Sequence, residues 1–351
     1  MLFKHQYGFR RNKSTTQAIL WLLQNIYSAL DDDNFYFTMF LDLRKAFDCV
    51  SHDVLLNKLY FYGIRGTPLE SFRSYLGGRS QFVAINGMKS DCKSISCGVP
   101  QGSILGPLLF LIFVNDLPNC NVCFDYVLFA DDTSISLKFP KCSLDTIHLH
   151  INQQLCSVSD WLNANKISLN ISKTNYMIFS YTGDHTLHSV RINGGEIGCV
   201  RSARYLGLFF DNNLKFRNHV DMLSDRISKS IGQMSKVGHL LPRRVLVSIY
   251  YSIIHPYLNY CVEAWFNAAS CVVNRLVILQ KRSIRLLVGA HYLDHTDVFF
   301  NELKILKLKS LFVLNIGCYM FKCINLENYD DDLLLYINDN IDQHAYPTRG
   351  R

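Results

Sequence analysis

An apolar run over residues 35–43, with an aspartate near its end, constrains the fold of this chain more than any other feature. A run so rich in phenylalanine is typical of a central β-strand that is covered on both faces. Ser51 can cap a helix predicted over residues 53–62, and Gly63 suits the C-terminal end of that helix. The order of strand, turn and helix predicts a sheet with helices packed against it.

A second pair of strands carries two more aspartates. Residues 124–129 and 133–137 are predicted to be short strands, and Ala130, Asp131 and Asp132 separate them in a hairpin. An uncompensated carboxylate beside an apolar strand costs several kcal/mol or shifts its pKa, so we expect a cation at this place. The alternative is that these aspartates are ordinary turn residues.

Asp42 at the end of the first strand gives a third carboxylate, with no cluster of cysteine and histidine nearby. Such a set of oxygen ligands suits a hard ion such as Mg²⁺. Two such ions about 3.5–4 Å apart stabilise the attacking and leaving oxygens of a phosphoryl transfer. The residues alone therefore favour metal-dependent phosphoryl chemistry.

Further elements are predicted from periodicity and turn residues. In the first half they are strands over residues 81–85 and 93–97 on either side of Asn86-Gly87, a helix over residues 103–114 with Pro107 in its first turn, a helix over residues 147–162 that Ser143 could cap, and strands over residues 175–179 and 205–210. In the second half they are helices over residues 218–237, 243–266 with a kink near Pro256, and 274–288. The prediction is an α+β unit over residues 1–210 and an all-α unit over residues 211–351.

Positive charge is concentrated in the second half. The whole chain carries +7, whereas residues 201–290 hold thirteen lysines and arginines against four acidic residues, a local charge of +9. A basic stripe of this kind is the footprint of a surface that faces phosphates. A solvated helix face is the alternative interpretation.

Composition excludes several classes of protein. With 49% hydrophobic and 19% charged residues, the chain can bury a core and is not disordered. Its longest uncharged apolar run, residues 107–114, is far shorter than the roughly 20 residues that cross a bilayer. No basic stretch followed by an apolar block marks the N-terminus, so we expect neither a membrane protein nor a secreted one. The twelve cysteines show no repeated spacing, which favours reduced thiols inside the cell over disulfides.

Three sequence blocks then point to a family. FLDLRKAFD at residues 40–48, GVPQGSILGP at residues 98–107 and FADD at residues 129–132 occur in that order. Together they resemble the palm motifs of reverse transcriptases, specifically those of non-LTR (LINE-type) retrotransposons of the jockey kind. The resemblance implies a right-hand polymerase: partial fingers, a palm with an antiparallel sheet and packed helices, and an all-α thumb.

The resemblance continues along most of the chain. QYGFR at residues 6–10 with STT at residues 14–16 is similar to the last part of the fingers. Asn170 with Lys173-Thr174 is similar to the next palm motif. Tyr205, Leu206 and Gly207 are similar to the element that grips the primer.

The resemblance assigns the catalytic roles. Asp42, Asp131, Asp132 and the backbone carbonyl of Leu43 would bind two Mg²⁺ ions, with Mn²⁺ as a substitute, and so activate the primer 3′-hydroxyl and neutralise the triphosphate. Lys173 is expected to protonate the leaving pyrophosphate, with a plain surface lysine as the alternative.

The same resemblance assigns the binding roles. Phe47 is expected to lie beneath the sugar and to exclude a 2′-hydroxyl, with a core phenylalanine as the alternative. Gln101 and Gly102 would line the nucleotide pocket. The implied partners are an RNA template, a DNA primer and dNTPs. In the basic half, the residues expected to bind nucleic acid are Arg243, Arg244, Lys281, Arg282 and Arg285.

The sequence departs from the family pattern in two ways. Phe129 stands where many relatives have tyrosine, and only five residues precede Gln6, so we expect an N-terminally truncated chain without the basic strand that clamps the triphosphate. A catalytically inactive, truncated nucleic-acid-binding remnant is therefore one alternative. Viral RNA-dependent RNA polymerases, which usually have glycine in place of Ala130, and intron maturases are another. We expect an intracellular protein, nuclear at the site of integration and cytoplasmic when newly made.

Overall fold

The sheet of the first half is built around the apolar run, which forms its central strand. The computed structural model describes residues 2–326, and these divide into two units between Leu206 and Gly207. The strands of the first unit are β1 (Asn34–Leu41), β2 (Ser80–Gln81), β3 (Ala84–Ile85), β4 (Met88–Lys89), β5 (Lys93–Ser94), β6 (Asp125–Phe129), β7 (Asp132–Pro140), β8 (Asn175–Phe179), β9 (Val190–Ile192), β10 (Gly195–Cys199) and β11 (Ser202–Tyr205).

The main sheet has six strands in the order β6-β7-β1-β8-β10-β9. The pairs β6-β7, β7-β1 and β1-β8 are antiparallel, β10 runs parallel to β8, and β9 is antiparallel to β10. The pairing of β1 with β7 begins at Asn34 opposite Pro140 and ends at Leu41 opposite Thr133. This register decides which residues meet at the end of β1.

Helices cover both faces of this sheet. They are α1 (Thr15–Asp31), α2 (His52–Phe61), α3 (Thr67–Leu76), α4 (Leu105–Val114) and α5 (Ile147–Ala164). Alternate residues of β1, such as Phe37 and Met39, share a core cluster with buried residues of α2, α4 and α5. Helix α1 contacts β1 and β6. The predicted α+β class is confirmed, and β1 is buried along nearly its whole length because both faces are covered.

Several local predictions for the first unit were wrong. Neither Ser51 nor Ser143 caps a helix with its side chain. The Asn86-Gly87 turn does form a hairpin, and both residues have positive φ (49° and 83°), but the short strands β3 and β4 flank it while β2 pairs with β5. Helices α1 and α3 and strands β9 and β10 were not predicted.

The second unit is helical after its first strand. Its elements are β12 (Leu208–Asp211), α6 (Arg217–Val237), α7 (Arg243–Ile253), α8 (His255–Asn259), α9 (Val262–Trp265), α10 (Ser270–Val288), α11 (Asp297–Leu303) and α12 (Leu308–Asn325). The carboxylate of Asp211 accepts hydrogen bonds from the backbone N–H of Arg217 and from the Asn218 side chain, both at 2.8 Å, which fixes the start of α6. The predicted region 211–351 extends past Leu326, and that part lies outside the described residues.

Two long elements predicted across this half are interrupted. The strand over residues 205–210 breaks at Leu206 and Gly207, whose φ values are +45° and +83°. The helix over residues 243–266 is divided into three helices, not kinked. The first break falls at Ile254, just before Pro256, which lacks the N–H that a continuous helix would use. Cys261, with φ +47°, lies between α8 and α9 and separates them.

No helix within residues 2–326 combines the length and the apolar character that a bilayer crossing requires.

His219 on α6 lies in the core of the second unit. Its side chain is 1% exposed, and its Nδ1 accepts a hydrogen bond from the backbone N–H of Phe209 at 3.5 Å. Burial, followed by the positive charge of Arg226, lowers the pKa of His219 to about 4. The imidazole is therefore neutral in the folded protein at neutral pH.

Acid should destabilise the second unit through this histidine. In the unfolded chain His219 binds a proton near pH 6.5, whereas in the folded protein it does so only near pH 4. The free energy of unfolding is therefore unaffected by His219 above pH 6.5 and decreases as the pH falls from 6.5 to 4. The expected loss in the free energy of unfolding is about 3 kcal/mol at pH 4. Urea titrations of wild type and His219→Asn between pH 7 and pH 4 measure it. An equal pH dependence in both proteins would contradict the assignment.

Candidate catalytic site

The backbone of Asp42 is fixed on both sides just after β1 ends. Its N–H donates to Oγ1 of Thr174 at 3.2 Å, and its carbonyl accepts the N–H of Asn170 at 2.7 Å. The turn of residues 170–174 therefore holds Asp42, although it is more than a hundred residues away in sequence. This turn is the motif that also contains Lys173.

Leu43 pairs with Leu169 across an isolated antiparallel bridge. The flanking hydrogen bonds run from Arg44 N–H to the Ser168 carbonyl at 2.9 Å and from Asn170 N–H to the Asp42 carbonyl. In this type of pair the N–H and C=O of Leu43 point away from Leu169. The carbonyl of Leu43 is therefore directed toward the edge of β1 that pairs with β7.

Asp131 and Asp132 lie where β6 turns into β7. Phe129 pairs with Asp132, so Ala130 and Asp131 form a two-residue turn and Asp132 already belongs to the strand. Ala130 has φ +56°, a left-handed conformation that is unfavourable for a residue with a Cβ. The turn that carries Asp131 is thus strained, and surrounding contacts must hold it.

The register of the sheet brings Asp42 beside this turn. Leu41 opposite Thr133 is the last pair between β1 and β7, and one further step along the same register places Asp42 opposite Asp132. Directly opposed residues of an antiparallel pair point to the same face of the sheet. Sheet pairing therefore gathers the carboxylates predicted from the sequence.

The three carboxylates influence one another electrostatically. Partial removal from water raises the pKa of Asp132, and the negative charges of Asp131 and Asp42 raise it further. Such a place favours a cation. Within residues 2–326 no three side chains of His, Cys, Asp or Glu converge closely enough to hold a metal ion, so the carboxylates are neighbours and not a preformed cage.

Phe47 and Gln101 lie on adjacent segments. The Phe47 ring stacks on Phe110 with centroids 4.2 Å apart and planes at 23°, and its backbone carbonyl accepts the N–H of Val99 at 2.9 Å. Gln101 donates through Nε2 to the carboxylate of Asp48 at 2.8 Å. Phe47 is half-buried and packs against the core cluster, so the core holds it in place while the residue stays partly exposed.

Two glycines of the GVPQGS block differ in their surroundings. A Cβ on Gly98, which has φ +91°, would lie 2.8 Å from the backbone carbonyl oxygen of Asp48. A Cβ on Gly102, which has φ +79°, would meet no heavy atom within 4 Å. Gly98 is therefore required for close packing of the two segments, whereas Gly102 borders open space beside Gln101.

Lys173 is exposed on the turn that holds Asp42, and its backbone N–H donates to the Asn170 carbonyl at 3.1 Å.

Tyr205 is buried: its ring lies 5.0 Å from Phe40, and its hydroxyl accepts from Ser134 Oγ at 3.4 Å. Burial raises the pKa of Tyr205, so the phenol stays neutral. Of the three predicted primer-grip residues, Leu206 and Gly207 are the partly exposed ones.

The basic residues predicted to bind nucleic acid lie in the second unit. Arg243 forms an ion pair with Glu302 at 2.8 Å, and Arg285 donates to the Asp294 carbonyl at 2.9 Å. Arg244 and Arg282 are exposed, and Lys281 is half-exposed. Two of the five predicted residues are therefore engaged with other parts of the chain.

Sequence reasoning missed two contributors to the first-unit site. Asp48 orients Gln101, and Phe9 sets its ring edge-on to Phe47, with centroids 6.3 Å apart and planes at 86°. Phe9 is 62% exposed and has φ +50°. An aromatic residue after the glycine of the QYGFR block was the available signal, but only the fold shows that it adjoins Phe47.

Comparison with known families agrees with this arrangement. Residues 1–210 match the family model described as reverse transcriptase (RNA-dependent DNA polymerase). The chain is 30% identical over 321 residues to the RNA-directed DNA polymerase from mobile element jockey of Drosophila melanogaster, covering 87% of this chain and 34% of that protein. It is 29% identical over 315 residues to the probable RNA-directed DNA polymerase from transposon X-element of the same species, covering 86% and 34%.

The chain thus spans about a third of the length of these relatives. Among solved structures, telomerase from Candida albicans in complex with a fragment of telomeric RNA is similar, with a TM-score of 0.46 and 13% identity over 86% of this chain and 54% of that one.

Proposed function

Because the chain belongs to the reverse transcriptase family, we propose that it acts as the RNA-directed DNA polymerase of a jockey-like non-LTR retrotransposon, extending a DNA primer on an RNA template. The first unit supplies the partial fingers and the palm, and the second unit supplies the thumb. The single observation that carries the proposal is the meeting of Asp42 with Asp131 and Asp132 at the ends of paired strands, from two sequence motifs that lie far apart in the chain.

The carboxylates of Asp42, Asp131 and Asp132 and the carbonyl of Leu43 would hold two Mg²⁺ ions, or Mn²⁺ in their place. Their hard oxygen atoms suit these ions. Burial, followed by the negative charges of Asp131 and Asp42, raises the pKa of Asp132, and a bound cation would offset both effects. When bound, the ions make the primer 3′-hydroxyl a better nucleophile and neutralise charge on the triphosphate. The register of the sheet brings Asp42 beside the turn that carries Asp131 and Asp132.

The nucleotide would bind over Phe47, Gln101 and Gly102. The ring of Phe47 limits the space beneath the sugar, because it is fixed on Phe110 and cannot retreat. The bond from Gln101 Nε2 to Asp48 leaves the amide oxygen of Gln101 as an acceptor for a hydroxyl or amino group of the nucleotide. Lys173, exposed on the turn that holds Asp42, would donate a proton to pyrophosphate.

Primer extension tests the proposal directly. The chain is incubated with a DNA primer annealed to an RNA template, the four dNTPs and Mg²⁺, and products are resolved on a sequencing gel. We expect extension that depends on the RNA template and stops when the divalent ion is chelated. A folded chain that binds the hybrid and adds no nucleotide would overturn the polymerase assignment.

The thumb residues should bind the template–primer through phosphates. Each phosphate that a cation neutralises releases about 0.9 counterion on a B-form duplex, so the slope of log K against log salt counts such contacts. Replacing Lys281, Arg282 and Arg285 together by glutamine should weaken binding of all sequences alike and flatten the slope by about two to three units. The slope should change by about two units if Arg285 stays bonded to the Asp294 carbonyl and so contacts no phosphate. Fluorescence anisotropy on an RNA–DNA hybrid across a salt series measures the slope.

Arg275 provides a matched control on the same helix. Its guanidinium forms an ion pair with Asp221, so Arg275→Gln removes a charge that is already neutralised within the protein. We expect the salt slope of this variant to equal that of the wild type. A triple variant with an unchanged slope would mean that this part of α10 only faces solvent.

A further inference from the structure

The segment of the QYGFR block lies along β6, the strand that leads to the acidic turn. The N–H of Tyr7 donates to the Leu128 carbonyl at 2.7 Å, and the N–H of Leu128 donates to the His5 carbonyl at 3.0 Å. These bonds form a short parallel bridge between Gln6 and Leu128. The segment therefore runs toward Ala130 and Asp131 in register with β6.

The side chain of Gln6 reaches the turn itself. Its Oε1 accepts the backbone N–H of Ala130 at 3.1 Å and the N–H of Gly8 at 2.9 Å. Gln6 is 1% exposed, so these bonds do not compete with water. Because both neighbours are N–H donors, only the oxygen of the amide can occupy this position.

Placing the Gln6 side chain at the turn has a free-energy cost. Among the described residues, its Nε2 has no hydrogen-bond partner, and a buried donor left unpaired costs about 1–3 kcal/mol. Ala130 adds the strain of its left-handed backbone. Unfavourable terms of this kind collect at functional sites, where the surrounding structure forces a required geometry.

Two further contacts fix the segment around Gln6. A Cβ on Gly8 would lie 2.4 Å from the backbone nitrogen of Ala130, so only glycine allows this approach. The guanidinium of Arg10 donates to the carbonyls of Phe3, Lys4 and Gln6 at 2.8, 3.3 and 3.1 Å. Gln6 thus belongs to a rigid support that touches the backbone directly before Asp131.

We propose that Gln6 is a positioning residue for Asp131: by holding the N–H of Ala130 it keeps the strained turn in the conformation that directs the Asp131 carboxylate toward Asp42. This role rests on the proposed polymerase function. Gln6 acts on the Asp131 carboxylate only through the backbone N–H of Ala130.

Gln6→Met tests this role because methionine has a similar length and no strong acceptor. Hydrogen exchange of the peptide over residues 125–133, which contains the Ala130 amide, should become faster. Mn²⁺ binding, followed by the EPR signal of free Mn²⁺, should weaken at least threefold. In primer extension kcat should fall about 10- to 100-fold with the KM for dNTP within twofold, since placement of the carboxylate and not nucleotide binding is altered.

Gln6→Glu and Gln280→Met complete the comparison. Gln6→Glu retains an acceptor oxygen and should recover the protection of the Ala130 amide and part of kcat. Gln280 is also a buried glutamine whose Oε1 accepts a backbone N–H, that of Leu308 at 2.9 Å, but it belongs to the second unit. Gln280→Met should lower thermal stability and leave Mn²⁺ binding and kcat unchanged.

Unchanged exchange at Ala130 in Gln6→Met would overturn the proposal. So would faster exchange with unaltered Mn²⁺ affinity, because the turn would then be free to move without consequence for its carboxylate. A wild-type chain that binds Mn²⁺ and shows the exchange difference but extends no primer would count against the polymerase function and not against the role of Gln6 in placing Asp131.

Discussion

Asp42→Asn and Asp131→Asn should each abolish primer extension, by about a thousandfold or more, while the protein stays folded. Each substitution removes an anion that the two ions would share, and an amide oxygen cannot replace it. Asp42 is held through its backbone by Thr174 and Asn170, so the loss of its charge does not release the segment. Single-turnover extension on an RNA template, with Mg²⁺ varied, measures the effect.

Thermal unfolding provides the check on the fold. Burial raises the pKa of Asp132, and the charges of Asp131 and Asp42 raise it further. Neutralising Asp131 or Asp42 relieves this repulsion, so the melting temperature without divalent ions should stay equal or rise. Asp145 is an exposed aspartate between β7 and α5, and Asp145→Asn is the matched control. This variant should extend primers at the wild-type rate. Extension within tenfold of wild type in Asp42→Asn or Asp131→Asn would refute the two-ion assignment.

The central strand was predictable because its signal is local. Residues of β1 are apolar on both faces, and only a strand with helices on both sides of its sheet requires that pattern. The hairpin of β6 and β7 was predictable for a similar reason, since two short strand-like segments flank an acidic turn. The resemblance of three ordered motifs then indicated which aspartates to expect at the catalytic site before any geometry was known.

Elements whose identity depends on distant partners were missed. The strands β9 and β10 are short and stabilised by pairing with each other and with β8, so their own sequence carries little signal. The Asn86-Gly87 turn was recognised, but the wrong strand was chosen as its partner because register depends on the whole ribbon. The breaks at Gly207 and Cys261 come from backbone conformations that periodicity does not reveal.

In the candidate site, too, local motifs could be read from the sequence and distant contacts could not. Motifs located Asp42, Phe47 and Gln101, whereas the contacts that fix them join residues far apart in sequence. The hydrogen bond between Thr174 and Asp42 spans 132 positions, and that between Gln6 and Ala130 spans 124. Pairings across such separations follow from the three-dimensional fold and leave no local signal in motifs or periodicity.

Phe47→Val should lower the preference for dNTP over rNTP about 10- to 100-fold. The ring is fixed between the stack on Phe110 and the edge contact with Phe9, so it cannot move aside for a 2′-hydroxyl. Forcing extra atoms into a filled space costs about 1–3 kcal/mol, which corresponds to this range of discrimination. Primer extension with each nucleotide type separately gives the ratio of kcat/KM values.

The variant also loses core packing, because Phe47 contacts the cluster beneath the sheet, and a fall of about 1–2 kcal/mol in the free energy of unfolding is expected. Phe72→Val separates the loss of core packing from the change in nucleotide preference. Phe72 is also half-buried against the same cluster, and its substitution removes the same side-chain volume. It should be destabilised similarly and keep the wild-type preference for dNTP. If Phe47→Val is destabilised with no change in this preference, Phe47 is a core residue and another group excludes the 2′-hydroxyl.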